Sequence, residues 1–243
     1  MRVGLLSTLD APFLGYVLRA LIQEAIPIHA LLFDAQPVSE RDRRLHHERT
    51  AGRFPLIPLS EFEALRLPCY FVADHTSAAS IALVRALELD VLVNAGTPRI
   101  LTPEFLRASR GGVLNGHPGL LPQFRGCACV EWAIYLDEQV GNTVHFMNEE
   151  VDGGPILLQE GLVFEPTDTY VDVRVKVHEH GHTLLVKGLK RVLTERLTPA
   201  QLPPQPPGRH FGVIPEVYMR VVVEKLARGA YAFQRCEVVA RTV

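Results

Sequence analysis

Two polar side chains with catalytic potential lie two residues apart at the end of a short apolar run. Asn115 and His117 follow the apolar residues 113–114, and glycines at 111 and 112 precede that run. We predict a strand that ends at Asn115 and then a shaped loop, because the two prolines and two glycines of 116–122 exclude a helix. Side chains at i and i+2 of an extended segment point to the same side. An amide donor and a titratable imidazole can therefore face the same reacting atom.

A third candidate, Asp152, lies in a turn between two predicted strands. Residues 142–147 alternate like a strand, and residues 156–159 form a second one. The glycines and the proline of 153–155 give the backbone between them an unusual course. A carboxylate held there is a suitable partner for the imidazole of His117.

These segments resemble the formyltransferases that use 10-formyltetrahydrofolate. Members of this family share an N-x-H-P-x-L-L-P loop, a T-V-H-F strand and a D-x-G-P-I turn, which residues 115–122, 143–146 and 152–156 match. Residues 94–101, Asn-Ala-Gly-Thr-Pro-Arg-Ile-Leu, resemble the A-G-x-x-R-I-L segment that lines the folate pocket. The resemblance covers roughly residues 1–195 and is sharpest between 90 and 160.

The resemblance implies transfer of a formyl group from 10-formyltetrahydrofolate, without a metal and without a covalent nucleophile. Attack of an amine on the formyl carbon places negative charge on the formyl oxygen, and the amide of Asn115 would donate to that oxygen. His117 would donate to the same oxygen when protonated, or relay a proton from the amine to the folate nitrogen. Asp152 would raise the pKa of His117 by charge pairing, or order a water molecule.

The resemblance also implies a set of residues for binding the folate co-substrate: Pro98, Arg99, Ile100, Leu101, Glu149, Val151 and Asp152. Four further residues are candidates for binding the acceptor: Arg43, Arg44, Gln123 and Arg125. The first two follow the second predicted strand, where a nucleotide is expected in an open α/β sheet. Guanidinium groups match a pyrophosphate. The charge-dense segment 35–53 that carries them is otherwise typical of a solvated loop or an exposed helix.

We expect the acceptor to be a primary amine of a small molecule, and a nucleotide-linked amino sugar is the specific hypothesis. Two alternatives stay open, an amine of a siderophore or antibiotic pathway and glycinamide ribonucleotide. The turn at 7–11 lacks a glycine-rich phosphate loop, which argues against the second. A net charge of −2 argues against a nucleic-acid partner such as initiator tRNA.

A competing motif lies later in the chain. His178 and His182, with Glu179 between them, match the H-E-x-x-H pattern of zinc hydrolases. Leucine at 185 breaks the extended form of that motif, which has glycine there, so an exposed histidine cluster on a helix is the preferred interpretation. A zinc metallohydrolase is kept as an alternative function, and a folate-binding module without catalysis is another.

The hydrophobic pattern predicts the fold in which these residues are placed. Residues 2–7 and 28–34 read as strands around a helix at 12–25, and such a βαβ unit needs parallel strands. The apolar run at 91–93 is typical of an interior parallel strand. We therefore predict an α/β fold with a Rossmann-like, mostly parallel open sheet and flanking helices.

The remaining chain predicts a short appendage. A long helix is expected over 168–197, a proline-rich linker over 199–208 and a final helix over 215–228. We divide the chain into a formyltransferase catalytic domain at 1–198 and a C-terminal helical extension at 199–243.

Composition narrows the setting. Apolar residues make up 47% and charged residues 21% of the chain, as in ordinary globular proteins. Four cysteines without regular pairing suit a reducing compartment, and we interpret Cys127 and Cys129 as packed small residues. Apolar runs all fall short of membrane-spanning length. We expect a cytoplasmic protein without a membrane partner, and a homodimer is compatible with these properties.

Overall fold

The computed structural model describes residues 1–235, and its strands and helices have the following bounds. The strands are β1 (Val3–Ser7), β2 (Ala30–Asp34), β3 (Cys69–Val72), β4 (Val91–Asn94), β5 (Val113–His117), β6 (Arg125–Gly126), β7 (Gly141–Phe146), β8 (Ile156–Gly161) and β9 (His210–Phe211). The helices are α1 (Leu14–Gln23), α2 (Glu40–Thr50), α3 (Ala78–Ala86), α4 (Pro103–Leu106), α5 (Cys129–Tyr135), α6 (Tyr170–Glu195) and α7 (Glu216–Ala227). Short 3-10 helices cover Leu59–Leu65 and Pro199–Gln201.

Seven of these strands form one sheet, in the order β3-β2-β1-β4-β5-β7-β8. Neighbours from β3 to β5 run parallel, and β7 and β8 add two antiparallel strands at the other edge. This confirms the predicted Rossmann-like, mostly parallel open sheet. The strand order reverses between β1 and β4, so the carboxyl ends of β1, β4 and β5 meet at the edge where open α/β sheets bind ligands.

Successive side chains of the central strands enter two hydrophobic layers. Leu5 packs in the layer that includes Leu189 of α6 and residues of α1. Leu6 packs in the opposite layer, with Val84 of α3 and Phe105 of α4. Because helices cover both faces, the strands are continuous apolar runs, as the sequence predicted for 91–93.

Two helices lie beside the carboxyl edge of the sheet and contact each other. α2 begins after Ser39, whose side chain accepts a hydrogen bond from the Asp42 amide, and most of its side chains are exposed, as expected for 35–53. α6 begins at a capping box formed by Thr169 and Asp172. The length of α6 carries it across the sheet, from α2 at one end to α1 and β5.

The chain after α6 folds back onto the loops that follow β5. β9 pairs in parallel with β6, and α7 packs against α5 in a buried cluster that includes Ile134, Val222 and Leu226. Residues 199–208, predicted as a linker, reach β9 with Gly208 packed against the backbone of Pro122. The predicted helical extension therefore shares a core with the residues before it.

Two smaller expectations concern membranes and cysteines. Across residues 1–235, helices long and apolar enough to cross a membrane are absent. Cys69 and Cys127 are free and exposed, and Cys129 is free and buried, whereas Cys236 lies outside the described residues.

We expect Gly208→Ala to lower the free energy of unfolding by about 1–3 kcal/mol, the usual effect of overpacking. A β-carbon at this position would collide with the carbonyl oxygen of Pro122, so the extension would have to move away from the loop. Gly212→Ala is the matched control, because a β-carbon there meets no atom within 4 Å. Urea unfolding measures both variants, and equal stabilities would show that the extension does not bear on this loop.

Candidate active site

Polar side chains from three adjacent strands meet at the carboxyl edge of the sheet. Asn94 ends β4, Asn115 lies on β5, and His145 stands opposite Asn115 in the antiparallel register of β5 and β7. The Asn94 amide nitrogen donates to Asn115 Oδ1 over 2.9 Å, and Asn115 Nδ2 lies 3.1 Å from His145 Nε2. Asn115 belongs to the predicted trio, whereas the sequence interpretation gave Asn94 and His145 no role.

The directions of these hydrogen bonds are fixed by the backbone at both ends. Asn94 Oδ1 accepts from the amides of Gly96 and Thr97 at 3.0 and 2.9 Å, so its nitrogen must face Asn115. His145 Nδ1 lies 3.0 Å from a carbonyl oxygen, that of Phe146, and must donate to it, which leaves Nε2 as an acceptor. One N–H of Asn115 is thus held by His145. Within residues 1–235 the other has no partner.

His117 and Asp152 form the second part of the site. His117 Nε2 donates to the carbonyl oxygen of Phe124 over 2.7 Å, and its Nδ1 lies 3.4 Å from Asp152 Oδ1. The other oxygen of Asp152 accepts from the Gly126 amide at 2.8 Å, and Oδ1 lies 3.7 Å from His145 Nε2. The structure therefore brings the three predicted residues, Asn115, His117 and Asp152, into one cluster around His145.

Burial decides the electrostatics of this cluster. Burial lowers the pKa of His117 below its usual value, and the carboxylate of Asp152 opposes this shift without reversing it. Asp152 thus acts on the pKa of His117 in the expected direction, but desolvation outweighs the charge pair and the net shift is downward. Burial, assisted by His117, lowers the pKa of His145 to about 4. Burial also raises the pKa of the Cys129 thiol, and the negative charge of Asp152 raises it further. Because the thiol stays protonated, Cys129 is a poor nucleophile.

The loop that carries Asp152 is held from the C-terminal side. Gln205 Nε2 donates to the carbonyl oxygens of Asp152, at 3.1 Å, and of Gly154. Arg125, only 3% exposed, donates to Glu150 at 2.6 Å and to the Gln205 side chain at 3.1 Å. Gln205 was missed because a glutamine in a proline-rich stretch carries no sequence signal for this contact.

The predicted folate segment divides into held and exposed residues. Arg99 makes a two-pronged ion pair with the buried carboxylate of Asp34, at 2.9 and 3.0 Å, and Leu101 is buried. Ile100 is 82% exposed and Val151 is 51% exposed, so both present apolar surface. Two other residues of the predicted folate set are Pro98, which is half-buried, and Glu149, which accepts a hydrogen bond from Arg107 at 3.2 Å.

A cavity of about 250 Å³ reaches Asn115 from the side of α1 and α6. Asn94, Asn115 and Pro118 line one part of it, and Phe13, His178 and His182 line another.

The second group of cavity residues belongs to a larger cluster of rings. Phe13 lies 5.0 Å from His178 and 5.5 Å from His182 between ring centroids, and Phe54 lies 5.5 Å from each of the two histidines. Burial, with help from Arg174, lowers the pKa of His178 to about 2, and burial lowers that of His182 to about 4. This part of the cavity wall is therefore aromatic and uncharged.

The four residues predicted to bind the acceptor do not line this cavity. Arg43 pairs with Asp10 at 2.9 Å, and Arg44 lines a separate cavity of about 700 Å³ next to α2 and α7. Gln123 is exposed, and Arg125 is held by Glu150 as described above. Their assignment to the acceptor stays a prediction.

The H-E-x-x-H motif is placed differently from a zinc site. His178 and His182 pack among the rings of Phe13 and Phe54, while Glu179 is exposed. Among the residues that the structure describes, His, Cys, Asp and Glu side chains nowhere form a group of three or more that could hold a metal ion. The two histidines are part of the cavity wall.

Comparison with known proteins gives a family match. The model of the formyl transferase family matches residues 11–189. Phosphoribosylglycinamide formyltransferase of Haemophilus influenzae is 40% identical over 102 residues, which are 42% of this chain and 48% of that protein. Methionyl-tRNA formyltransferase of a Synechococcus species is 38% identical over 120 residues, 49% of this chain and 37% of that protein. The chain thus spans about half or less of the length of these curated relatives.

Solved structures share the fold over most of the chain. Glycinamide ribonucleotide transformylase 1 from Symbiobacterium toebii has a TM-score of 0.62 and 24% identity, covering 82% of this chain and 90% of that one. A sugar N-formyltransferase from a Shewanella species has a TM-score of 0.62 and 19% identity, covering 93% and 88%. At these identities the likeness establishes the fold alone.

The buried histidines predict a loss of stability in mild acid. In the unfolded chain a histidine has its ordinary pKa near 6.5 and binds a proton below that pH. In the folded protein, His145, His178 and His182 have lowered pKa values and stay unprotonated there, so the unfolded state binds more protons. The free energy of unfolding should therefore fall from pH 7 to pH 5, by up to about 2 kcal/mol per histidine. Urea unfolding at several pH values measures this slope. His182→Phe should flatten it, and an unchanged slope in that variant would contradict the assignment.

Proposed function

Because the chain belongs to the formyl transferase family, we propose that it transfers the formyl group of 10-formyltetrahydrofolate to a primary amine of a small molecule. The observation that carries the proposal is the position of Asn115. Its one free N–H lies at the cavity, and the pair of His117 and Asp152 stands beside it. An oriented donor next to a proton acceptor is the arrangement that acyl transfer to an amine requires.

Asn115 supplies the donor. When the amine nitrogen bonds to the formyl carbon, negative charge develops on the formyl oxygen, and the free N–H of Asn115 stabilises it. Asn94 and His145 hold the amide in place beforehand, so no reorganisation is needed during the reaction. Removing such a donor typically costs on the order of 3 kcal/mol of barrier.

His117 and Asp152 move the proton. The attacking amine must lose a proton, and the departing folate nitrogen must gain one when its bond to the formyl carbon breaks. Nδ1 of neutral His117 is the acceptor on the side of Asp152, because Nε2 donates to Phe124. The carboxylate of Asp152 stabilises the imidazolium while it holds the proton. The products are the N-formylated amine and tetrahydrofolate.

The residues present fit the folate co-substrate. Ile100 and Val151 expose apolar surface on two loops, and the ion pair of Arg107 and Glu149 joins α4 to the second loop. A flat heterocycle would gain by covering such surface. The guanidinium of Arg99 is engaged by Asp34, so we assign Arg99 to holding its loop in shape.

For the acceptor we propose an amino sugar, with its nucleotide-linked form as the finer hypothesis. An aromatic face and uncharged hydrogen-bonding groups suit a polyhydroxylated ring, and Phe13, Asn94 and His178 provide them in the cavity. A phosphate next to α1 is disfavoured, because the carboxylate of Asp10 lies at the turn after β1, where it accepts from Thr8 and Val38.

Replacement of His117 by alanine or of Asp152 by asparagine should lower turnover by at least ~100-fold, the usual loss of general acid–base catalysis, with little change in folate binding. Mass spectrometry of the formylated amine and release of tetrahydrofolate measure the rate. In the wild type, turnover should hold through about pH 6.5 and fall only in stronger acid, because burial lowers the pKa of His117 and His117 must be neutral. Near-normal turnover in both variants would refute the mechanism. Folate binding without transfer to any amine would favour a binding module.

An acceptor panel tests the substrate class. We expect amino sugars to be formylated with a higher kcat/KM than aliphatic diamines or glycinamide ribonucleotide. If the nucleotide-linked form is the substrate, its KM should rise with salt and in Arg44→Gln, while the KM of the folate stays constant. Arg85→Gln on α3 removes the same charge on the opposite face of the sheet and is the matched control. A salt-independent KM in wild type and variant would exclude the nucleotide contact.

A further inference from the structure

A buried ionic network lies directly behind the cavity that we assign to the acceptor. Glu131 of α5 is fully buried, and one of its carboxylate oxygens accepts from the Tyr170 hydroxyl at 2.6 Å. The same oxygen lies 3.2 Å from Arg49 of α2 and 3.5 Å from Arg174 of α6. Burial opposes the charge on Glu131, but Arg174 and Arg49 outweigh it and lower its pKa. The carboxylate is therefore ionised and holds both guanidinium groups.

Arg174 extends this network to the cavity wall. Its Nη2 lies 3.3 Å from Nε2 of His178, one helical turn further along α6. Arginine has hydrogen-bond donors and no acceptor, so Nε2 of His178 must offer its lone pair. A neutral imidazole with a lone pair on Nε2 carries its proton on Nδ1. The contact thus selects one of the two tautomers of His178.

The ring of His178 is also fixed in orientation. Three aromatic or imidazole rings surround it, with centroids at 5.0 Å for Phe13, 5.5 Å for Phe54 and 5.6 Å for His46. His46 is itself anchored, because its Nε2 donates to the Phe54 carbonyl oxygen at 3.0 Å. In the described part of the chain, Nδ1 of His178 has no hydrogen-bond partner. His178 lines the cavity that reaches Asn115.

We infer that Glu131 and Arg174 are positioning residues that hold His178 as a neutral Nδ1–H donor, and that this donor binds an uncharged oxygen of the acceptor. A hydroxyl or carbonyl oxygen on the carrier of the amine has the required chemistry. This inference rests on the proposed function, because it names a group of the same acceptor. It makes His178 a specificity-determining residue rather than part of a metal site.

The inferred contact has a consequence for substrate choice. A fixed donor in a cavity loses water when the substrate binds, and it stays unpaired when the substrate lacks the matching oxygen. Deoxygenated acceptors should therefore bind less well than hydroxylated ones, while their amine still attacks the formyl carbon with the same stabilisation of the oxygen by Asn115. Loss of the contact should therefore raise the KM of the acceptor and leave turnover at saturation unchanged.

Two substitutions at position 178 separate the donor from the ring. His178→Phe keeps a packed ring and removes the N–H, whereas His178→Asn places an amide near the position of Nδ1. We expect His178→Phe to raise the KM of the acceptor by ~10-fold, the scale of one hydrogen bond, and His178→Asn to recover most of the loss. The KM of the folate should not change in either variant. An unchanged acceptor KM in His178→Phe, or equal losses in both variants, would overturn the inference.

The tautomer of His178 can be measured without an assay of enzyme activity. Long-range proton–nitrogen NMR spectra of the wild-type protein at pH 7 show which imidazole nitrogen carries the proton, and His178→Asn identifies the signal. We expect the Nδ1–H form for His178. Arg174→Lys, in a variant that thermal melting shows to be folded, should shift part of His178 to the Nε2–H form.

The two kinds of failure are distinguishable. An Nε2–H tautomer in the wild type overturns the positioning role of Arg174, whatever the enzyme formylates. A wild-type protein that formylates no amine overturns the proposed function and, with it, the acceptor contact of His178. A wild-type enzyme with normal transfer and an acceptor KM independent of His178 overturns the present inference alone.

Discussion

The hydrogen bond from Asn94 to Asn115 is the interaction on which the site depends. An asparagine amide can point its nitrogen in either of two directions, and only one of them presents a donor to a developing oxyanion. Backbone amides after β4 fix the orientation of the Asn94 side chain, and Asn94 fixes that of Asn115. His145 accepts a hydrogen bond from one N–H of Asn115. The sheet makes this possible because it sets β5 between a parallel neighbour and an antiparallel one, so that polar side chains approach Asn115 from both sides.

The proposed proton-transfer pair, His117 and Asp152, depends on a different part of the chain. Asp152 lies on a loop at positive φ, a conformation that costs a non-glycine residue energy unless its surroundings hold it. The Gly126 amide binds its carboxylate, and Gln205 binds the carbonyl groups of the loop. The C-terminal extension thus contacts the loop of Asp152 by hydrogen bonds, and it shares a hydrophobic core with α5 through α7. These contacts hold a proline-rich segment with little regular structure against the rest of the fold.

Helix α6 serves both the core and the cavity. Its apolar residues close one hydrophobic layer of the sheet, and its histidines face the rings near α1 and α2. Glu131 and Arg174 are both buried, where unpaired charges would be strongly destabilising. Buried ion pairs add little net stability on average, so a gain in geometry is the better reason for their presence. The geometry that they set is the tautomer and orientation of His178, which the arginine contact determines.

The sequence by itself determined the types and the order of the proposed reacting groups, Asn115, His117 and Asp152, and the mostly parallel sheet that carries them. Apolar runs and spacing are local properties, so they can be read along one chain. Only the tertiary structure decided which N–H of Asn115 is free, because that depends on Asn94 and His145 from neighbouring strands. It also decided the net pKa shift of His117, because burial outweighs the effect of Asp152 and burial is a property of the packed fold. The histidines of α6 show the same limit: their spacing matched a metal motif, but the residues packed around them made a cavity wall.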